Sequence, residues 1–260
     1  MESASASSDA PALSVVIPAF REGRRLGPTL DRVAGYLEGQ GQPYEILVVD
    51  DGSDDDTSDV ARERAARGVR LLRLSSNRGK GAAVREGVGA SSGRLVLLCD
   101  ADLATPIEEL DRLQRHIAIA PIVFGSRAQP DSNIVQRQPW YRESMGRTFN
   151  LLVRAAGGVT GLRDTQCGFK LFDGGIAREL FGRATVDGFA FDAEIAFLAH
   201  RLGYRVAEVG VEWHHLEQSR VRLVIDSARM LRDVLRFRWR HRRLATAGRL
   251  GGLGGGGGSG

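Results

Sequence analysis

Cysteine is scarce in this chain: 260 residues contain two, Cys99 and Cys167, far apart in sequence. Such a pair makes neither a disulfide framework nor a zinc site, and it points to a reducing, cytoplasmic setting. Long apolar runs are also missing. None approaches the roughly 18–20 residues that a membrane-spanning helix needs. The opening MESASASSDAPA lacks the basic start and apolar stretch of a secretory signal, so residues 1–12 read as a disordered leader. Strong overall charge is absent too, since the formal net charge is +4. That charge is uneven. Between Arg220 and Arg243 nine arginines stand against two aspartates, a local +7 that leaves −3 for the rest. The basicity therefore belongs to one C-terminal segment, which suits an anionic partner such as a membrane surface or nucleic acid. The glycine-rich stretch over 244–260 reads as a flexible tail.

What is present is an ordinary globular composition, 42% hydrophobic and 26% charged, enough apolar residue for one sizeable core. Strand-like and helix-like runs alternate. LSVVIP (13–18), YEILVVDD (44–51), VRLLRL (69–74), RLVLLCD (94–100) and IVFGSR (122–127) read as strands. Leu26, Leu30, Val33 and Leu37 mark one face of a helix between the first two. GKGAAVREGVGAS predicts a helix of small residues. Thr105-Pro106-Ile107-Glu108 predicts a capping box with proline at the first helical position. Such alternation argues for a mostly parallel sheet with helices on both faces, and continuous apolar strands fit burial on both sides. The second half is less regular. A helix carries Met145, Phe149, Leu152 and Val153, a loop covers 161–173, a short helix follows, a helix covers 191–203, and one strand covers 204–213.

In such sheets ligands bind at the carboxyl ends of the strands. Four distinctive loops belong there: PAFRE, DDGSDDD, SSNRGKG and DADLATP. Asp100-Ala101-Asp102 leaves a buried strand as two neighbouring carboxylates, a donor set suited to Mg²⁺ or Mn²⁺ with positions open for nucleotide phosphates. The plain alternative is a solvated turn followed by a helix cap. Asp50 and Asp51, with Gly52 and Ser53 in a tight turn, suit contacts to a base imide or a ribose hydroxyl. Asp54 to Asp56 read as capping residues. Lys80 between two glycines at a helix start suits phosphate, although the Walker spacing is absent. His214-His215 reads as a surface or acceptor-site pair rather than a metal site.

Taken in order, VVIPAFRE, VVDDGSDDDT, NRGKGAAVREG, DADLATP, FGSR, DTQCGFKLF and FAFDAEI resemble glycosyltransferase family 2 over roughly residues 13–240. The likeness is greatest to the family's dolichyl-phosphate glucosyltransferase branch, through DTQCGFKLF. The resemblance implies a GT-A fold over 13–215, a Rossmann-like nucleotide-binding α/β domain. It implies nucleotide-sugar contacts from Pro18, Ala19, Phe20, Glu22, Asp50, Asp51, Gly52, Ser53, Lys80, Asp100, Ala101 and Asp102, with Asp100 and Asp102 as metal ligands. It implies an acceptor-phosphate site from Arg127, Arg142, Gln166 and Lys170. Asp164 and Asp102 are the candidate catalytic residues, Asp164 as base, with orienting the sugar or an arginine as its alternative role. Asp192 and Glu194 are its rivals, with helix capping as their alternative.

The implied reaction is inverting, metal-dependent transfer of glucose from UDP-glucose to a polyprenyl phosphate, with GDP-mannose as the competing donor. A sugar-phosphate nucleotidyltransferase needs a triphosphate loop directly after the first strand, and PAFREGRR is not one. A non-catalytic protein is expected to have lost a metal carboxylate. Nucleic acid is not expected as a partner. Residues 216–243 form a basic amphipathic helix. Arg222, Asp226, Arg229, Asp233, Arg236 and Arg240 share one face, and Phe237 and Trp239 favour docking on an anionic membrane surface. The alternative is a helix packed on the core. The expected location is peripheral, on the cytoplasmic face of a membrane.

Overall fold

The computed structural model describes residues 10–135, 161–214 and 223–244, with side chains of the last helix described from Arg229 onward. Arg142, His215 and the helix expected around Met145 lie outside the described residues. The five strands expected in the first half all form: β1 Leu13–Ala19, β2 Tyr44–Asp50, β3 Val69–Arg73, β4 Leu95–Leu98 and β5 Ile122–Ser126. Two short strands, β6 Asn133–Ile134 and β9 Glu212–Trp213, pair in parallel beside the main sheet. β7 Lys170–Asp173 and β8 Val206–Gly210 complete a seven-stranded sheet of order β3-β2-β1-β4-β7-β5-β8. β7 alone runs against the others. This is a GT-A-type α/β sheet.

Successive strand residues point to opposite faces, so an unbroken apolar run serves two cores. Val16, Leu47, Val49, Val96, Phe124 and Phe172 face one side. There they meet α3 Lys80–Ala90, α5 Gly174–Arg183, α6 Phe191–Arg201 and α7 Leu223–Arg240. Val15, Ile17, Ile46, Val48, Leu97 and Leu171 face the other. They meet α1 Gly23–Gln40 and α4 Leu110–Ile117, and α2 Thr57–Arg62 also lies on this side. Leu26, Leu30, Val33 and Leu37 of α1 are all buried, as their spacing predicts. α3 turns Ala82, Ala83, Val84 and Val88 inward. Its small side chains let it lie close to the sheet.

Three expectations are corrected. Residues 161–173 are not all loop, because Lys170–Asp173 forms β7, wedged between β4 and β5. Four residues are too few for a period to show, and a strand paired on both sides is set by long-range register. The strand expected over 204–213 breaks at Val211, so that Glu212 and Trp213 pair with β6 instead. The capping box does not form. Pro106 precedes a 3₁₀ turn, Ile107–Glu109, Thr105 packs against Cys167, and Glu108 pairs with Arg32 at 3.1 Å. One stripe of α7 packs on the core. Met230, Val234, Phe237 and His241 are buried, and the Phe237 ring lies 5.4 Å from that of Phe197 on α6.

A run of aromatic contacts ties β5, β7 and α5 together. Phe172 meets Phe124 edge-on at 6.0 Å and Phe181 at 5.9 Å. Truncating a fully buried phenylalanine removes its transfer energy and leaves a cavity. Phe172→Ala should lower the unfolding free energy by about 3–5 kcal/mol in a denaturant titration. A cost below 1 kcal/mol would show that β7 is not an integral strand of the core.

Candidate active site

The loops at the carboxyl edge hold one another. Asp51 N–H donates to the carbonyl of Ala19, Arg21 N–H to Ser53 Oγ, and Glu22 N–H to Thr57 Oγ1, each at 2.8 Å. Glu22 accepts both arms of Arg25. Pro18 and Ala19 end β1 beside Val49 and Asp50, and Phe20 follows with Arg21 stacked on its ring. Gly52 makes the turn at φ +71°.

Asp50 and Asp51 do different work from that expected of them. Asp50 is fully buried and accepts from Ser53 N–H at 2.8 Å and from the Ser58 hydroxyl. Asp51 accepts the N–H groups of Arg78 and Gly79, both at 2.8 Å. Both carboxylates therefore shape the loop walls, and neither presents a free face to a base or ribose. Of the three aspartates expected to cap α2, Asp55 accepts from Thr57 N–H at 3.1 Å, while Asp54 pairs with Arg21.

At the end of β4 the expected pair is in place. Ala101 is buried, and its carbonyl accepts from Thr29 on α1 at 2.7 Å. The following turn carries Leu103 at φ +48°, a strained value for leucine. Its next carbonyl, that of Ala104, is held by His214 N–H at 2.8 Å. Lys80, the first residue of α3, donates to Asp100 Oδ1 at 2.5 Å. Gly168 closes the other side, where an added Cβ would stand 1.9 Å from Asp100 Oδ2. Burial opposes ionisation of Asp100, but the Lys80 charge outweighs it and holds the carboxyl below its usual range. Asp102 accepts from Ala104 N–H at 3.1 Å. Burial, and then the charge of Asp100, push its carboxyl up.

Two hard oxygen donors with unmatched negative charge between them fit Mg²⁺ or Mn²⁺. Among the described residues no group of three or more His, Cys, Asp or Glu forms a ready-made metal site. The remaining ligands would come from phosphate and water, the usual arrangement for Mg²⁺.

Across the mouth from this pair stands Arg127, at the end of β5. Its Nε donates to Asp164 Oδ2 at 2.7 Å and its Nη2 to Oδ1 at 3.0 Å. Asp164 also accepts the N–H of Arg127 at 3.1 Å and of Gln166 at 3.0 Å. The guanidinium lies 5.5 Å over the Trp213 ring. Burial raises the Asp164 carboxyl, but Arg127 more than offsets it and sets it at about 2. A carboxylate with that value and those partners is a poor proton acceptor at neutral pH. Of its two expected roles, the geometry gives Asp164 the positioning of an arginine. Lys170 is also corrected. It is fully buried on β7, bonded to Asp192 at 2.6 Å and to the carbonyl of Cys167, so it cannot reach a lipid phosphate. Glu194, the other rival base, is fully buried and accepts from Thr185, Val186 and His241.

The profile of glycosyl transferase family 2 matches residues 14–173. The chain belongs to glycosyltransferase family 2. It is similar to dolichyl-phosphate beta-glucosyltransferases of Dictyostelium discoideum (35% identical, 88% of this chain and 74% of that one). It is likewise similar to those of Drosophila melanogaster (38%, 85% and 73%) and Homo sapiens (35%, 88% and 75%). Among solved structures it resembles glucosyl-3-phosphoglycerate synthase from Mycobacterium tuberculosis, in complex with Mn²⁺ and UDP-glucose, with a TM-score of 0.65. Identity there is 20%, over 87% of this chain and 79% of that one. It also resembles mannosyl-3-phosphoglycerate synthase from Rubrobacter xylanophilus, with a TM-score of 0.61 and 21% identity over 93% and 78%. At such identities the structures share the fold.

This member of the family carries site residues that its sequence did not announce. Glu208 on β8 accepts Asp164 N–H at 2.7 Å and Arg163 N–H at 2.8 Å, fixing the loop that holds Arg127. A glutamate inside an apolar stretch is the available signal. Gly168 and Trp213 gave none.

A carboxyl lowered in the folded state stabilises it above its unfolded value near 4, and that stability is lost as pH falls through the folded value. Asp164→Asn should therefore cost about 3 kcal/mol at pH 7, the low end for a broken buried pair, because Arg127 keeps 32% of its side chain in water. In acid titrations the difference from wild type should shrink as pH falls from 4 towards 2. The shape of the pH–rate profile above pH 5 should be unchanged. Disappearance of a limb in that profile would restore Asp164 as the base.

Proposed function

We propose that this enzyme transfers glucose from UDP-glucose to a polyprenyl phosphate of the dolichyl type, with inversion, at a membrane surface. One observation carries the reading. The Asp100–Asp102 pair meets Lys80 at the start of α3, at the sheet edge where donor loops converge, in a chain over a third identical to dolichyl-phosphate beta-glucosyltransferases. A helix start and a lysine suit the donor diphosphate. Asp100 and Asp102 would hold a divalent cation, Mg²⁺ or Mn²⁺, which would stabilise the charge that develops on that diphosphate.

In the reaction a phosphate oxygen of the acceptor bonds the anomeric carbon as the bond to the UDP oxygen breaks. An α-linked donor and a β-linked product require attack from the opposite face. A phosphate monoester has its second pKa near 6 and is largely dianionic at neutral pH, so no protein base is needed. Orientation matters more, and Arg127 supplies it. Its bonds to Asp164 use Nε and Nη2, which leaves the Nη1 edge of a five-donor fork for phosphate.

Support for the membrane comes from α7. Opposite its buried stripe, Leu231, Leu235 and Trp239 are 40%, 59% and 68% exposed, flanked by Arg232, Arg236, Arg238 and Arg242. Each basic residue near an anionic surface contributes about 1 kcal/mol. Among the described residues no helix is long and apolar enough to cross a membrane.

Two measurements test this reading. Labelled UDP-glucose with a short polyprenyl phosphate and Mn²⁺ should yield a glucosylated lipid, abolished by chelation. Transfer from GDP-mannose instead would overturn the donor assignment. The protein should co-sediment with phosphatidylserine vesicles at low salt, and Leu235→Glu with Trp239→Glu should weaken this at least about tenfold. Binding that ignores both salt and the substitutions would remove α7 as the membrane surface.

A further inference from the structure

Lys80 and Asp100 have both been assigned to the donor site, yet here they are bonded to each other at 2.5 Å. We infer that Lys80 is a latch: its ammonium holds Asp100 until metal and nucleotide arrive together, then moves to the diphosphate. The inference rests on the metal reading above and adds an order to it.

The latch has a fixed base and a movable head. Gly79 and Gly81 flank Lys80, and a Cβ on either would stand 2.5 Å from a backbone oxygen, of Asp187 and Val186 respectively. Ala82 N–H donates to the Asp187 carbonyl at 3.1 Å. The start of α3 is therefore pinned to the 186–188 loop, leaving only the four-carbon stem to move. The head keeps 25% of its side-chain surface in water, and Asp100 keeps 33%. Beyond Asp100, Asp102 accepts a backbone N–H and, among the described residues, forms no ion pair with a lysine or arginine.

These charges make each ligand poor company alone. A cation entering between the aspartates meets an ammonium already on Asp100. A diphosphate arriving without metal meets two carboxylates matched by one lysine. Together, the metal takes the carboxylates and the diphosphate takes the ammonium. The two affinities are then coupled, and linkage makes the coupling reciprocal.

The test reads metal binding directly, by Mn²⁺ electron paramagnetic resonance and calorimetry, without turnover. In wild type, UDP should raise Mn²⁺ affinity at least about tenfold, inside the 5–150-fold range common for coupled sites. Lys80→Met, which keeps the stem and removes the charge, should bind Mn²⁺ alone about tenfold more tightly and lose most of the enhancement by UDP. Asp100→Asn should lose Mn²⁺ in both settings. No gain in Mn²⁺ affinity in Lys80→Met over wild type would overturn the latch while leaving the metal site standing, whatever UDP does in wild type. No Mn²⁺ binding even with UDP would overturn the metal reading itself. Should Lys80→Met fold poorly, the ¹⁵N resonance of the Lys80 ammonium in wild type gives a second measure. It should shift on adding Mg²⁺ with UDP and stay put with either alone, and a signal that never shifts would overturn the latch.

Discussion

The charge on Asp100 must be matched inside the domain, and much of the local architecture follows from how that is done. β4 is buried on both faces and delivers the carboxylate to the sheet edge. Lys80 can reach it because α3 lies close over β1 and β2 through Ala82, Ala83 and Gly87. α3 in turn starts where it does because its first turn abuts the 186–188 loop. That loop is held by Glu194, which accepts Thr185 and Val186 N–H at 2.8 Å. Glu194 also bonds His241 at 2.8 Å, so the end of α7 reaches the same node. One ion pair thus sits at the end of a chain of packing and hydrogen bonds that runs to the C-terminal helix.

Most of the site's acids are structural. Asp50, Asp51, Asp55, Asp164, Glu194 and Glu208 each accept backbone N–H groups, and Asp192 neutralises a buried lysine. Loops at the carboxyl edge leave such donors unpaired, and carboxylates satisfy them more strongly than neutral acceptors. Asp100 and Asp102 differ because their partners are one lysine, one N–H and a glycine with no side chain. Chemistry concentrates where the fold has spent the fewest bonds.

Several parts of the fold were legible in the chain. The first five strands, the buried face of α1 and the small-residue α3 follow from apolar periodicity, because each is longer than its period and buried in a regular way. DADLATP and NRGKG were legible as a pair because both follow or precede a periodic element. β7 was not. Four residues, KLFD, carry no period, and only pairing on both edges makes them a strand. The expected capping box failed for a related reason: Thr105 and Glu108 found partners elsewhere in the chain. Phe237 and Trp239 of α7 fall on different stripes, one buried and one exposed, since helical spacing alone does not say which stripe meets α6.

By itself the sequence determined the sheet's direction, the loops at its edge and the residue types offered there, because strand period, turn chemistry and charge are local properties. It also narrowed the family through DTQCGFKLF. Tertiary structure decided which charges meet. Asp164 binds Arg127, Lys170 binds Asp192, and Lys80 binds Asp100, all across long separations that no spacing rule reaches. A carboxylate is a base, a brace or a metal ligand according to what lies within about 3 Å of it, and only folding sets that distance.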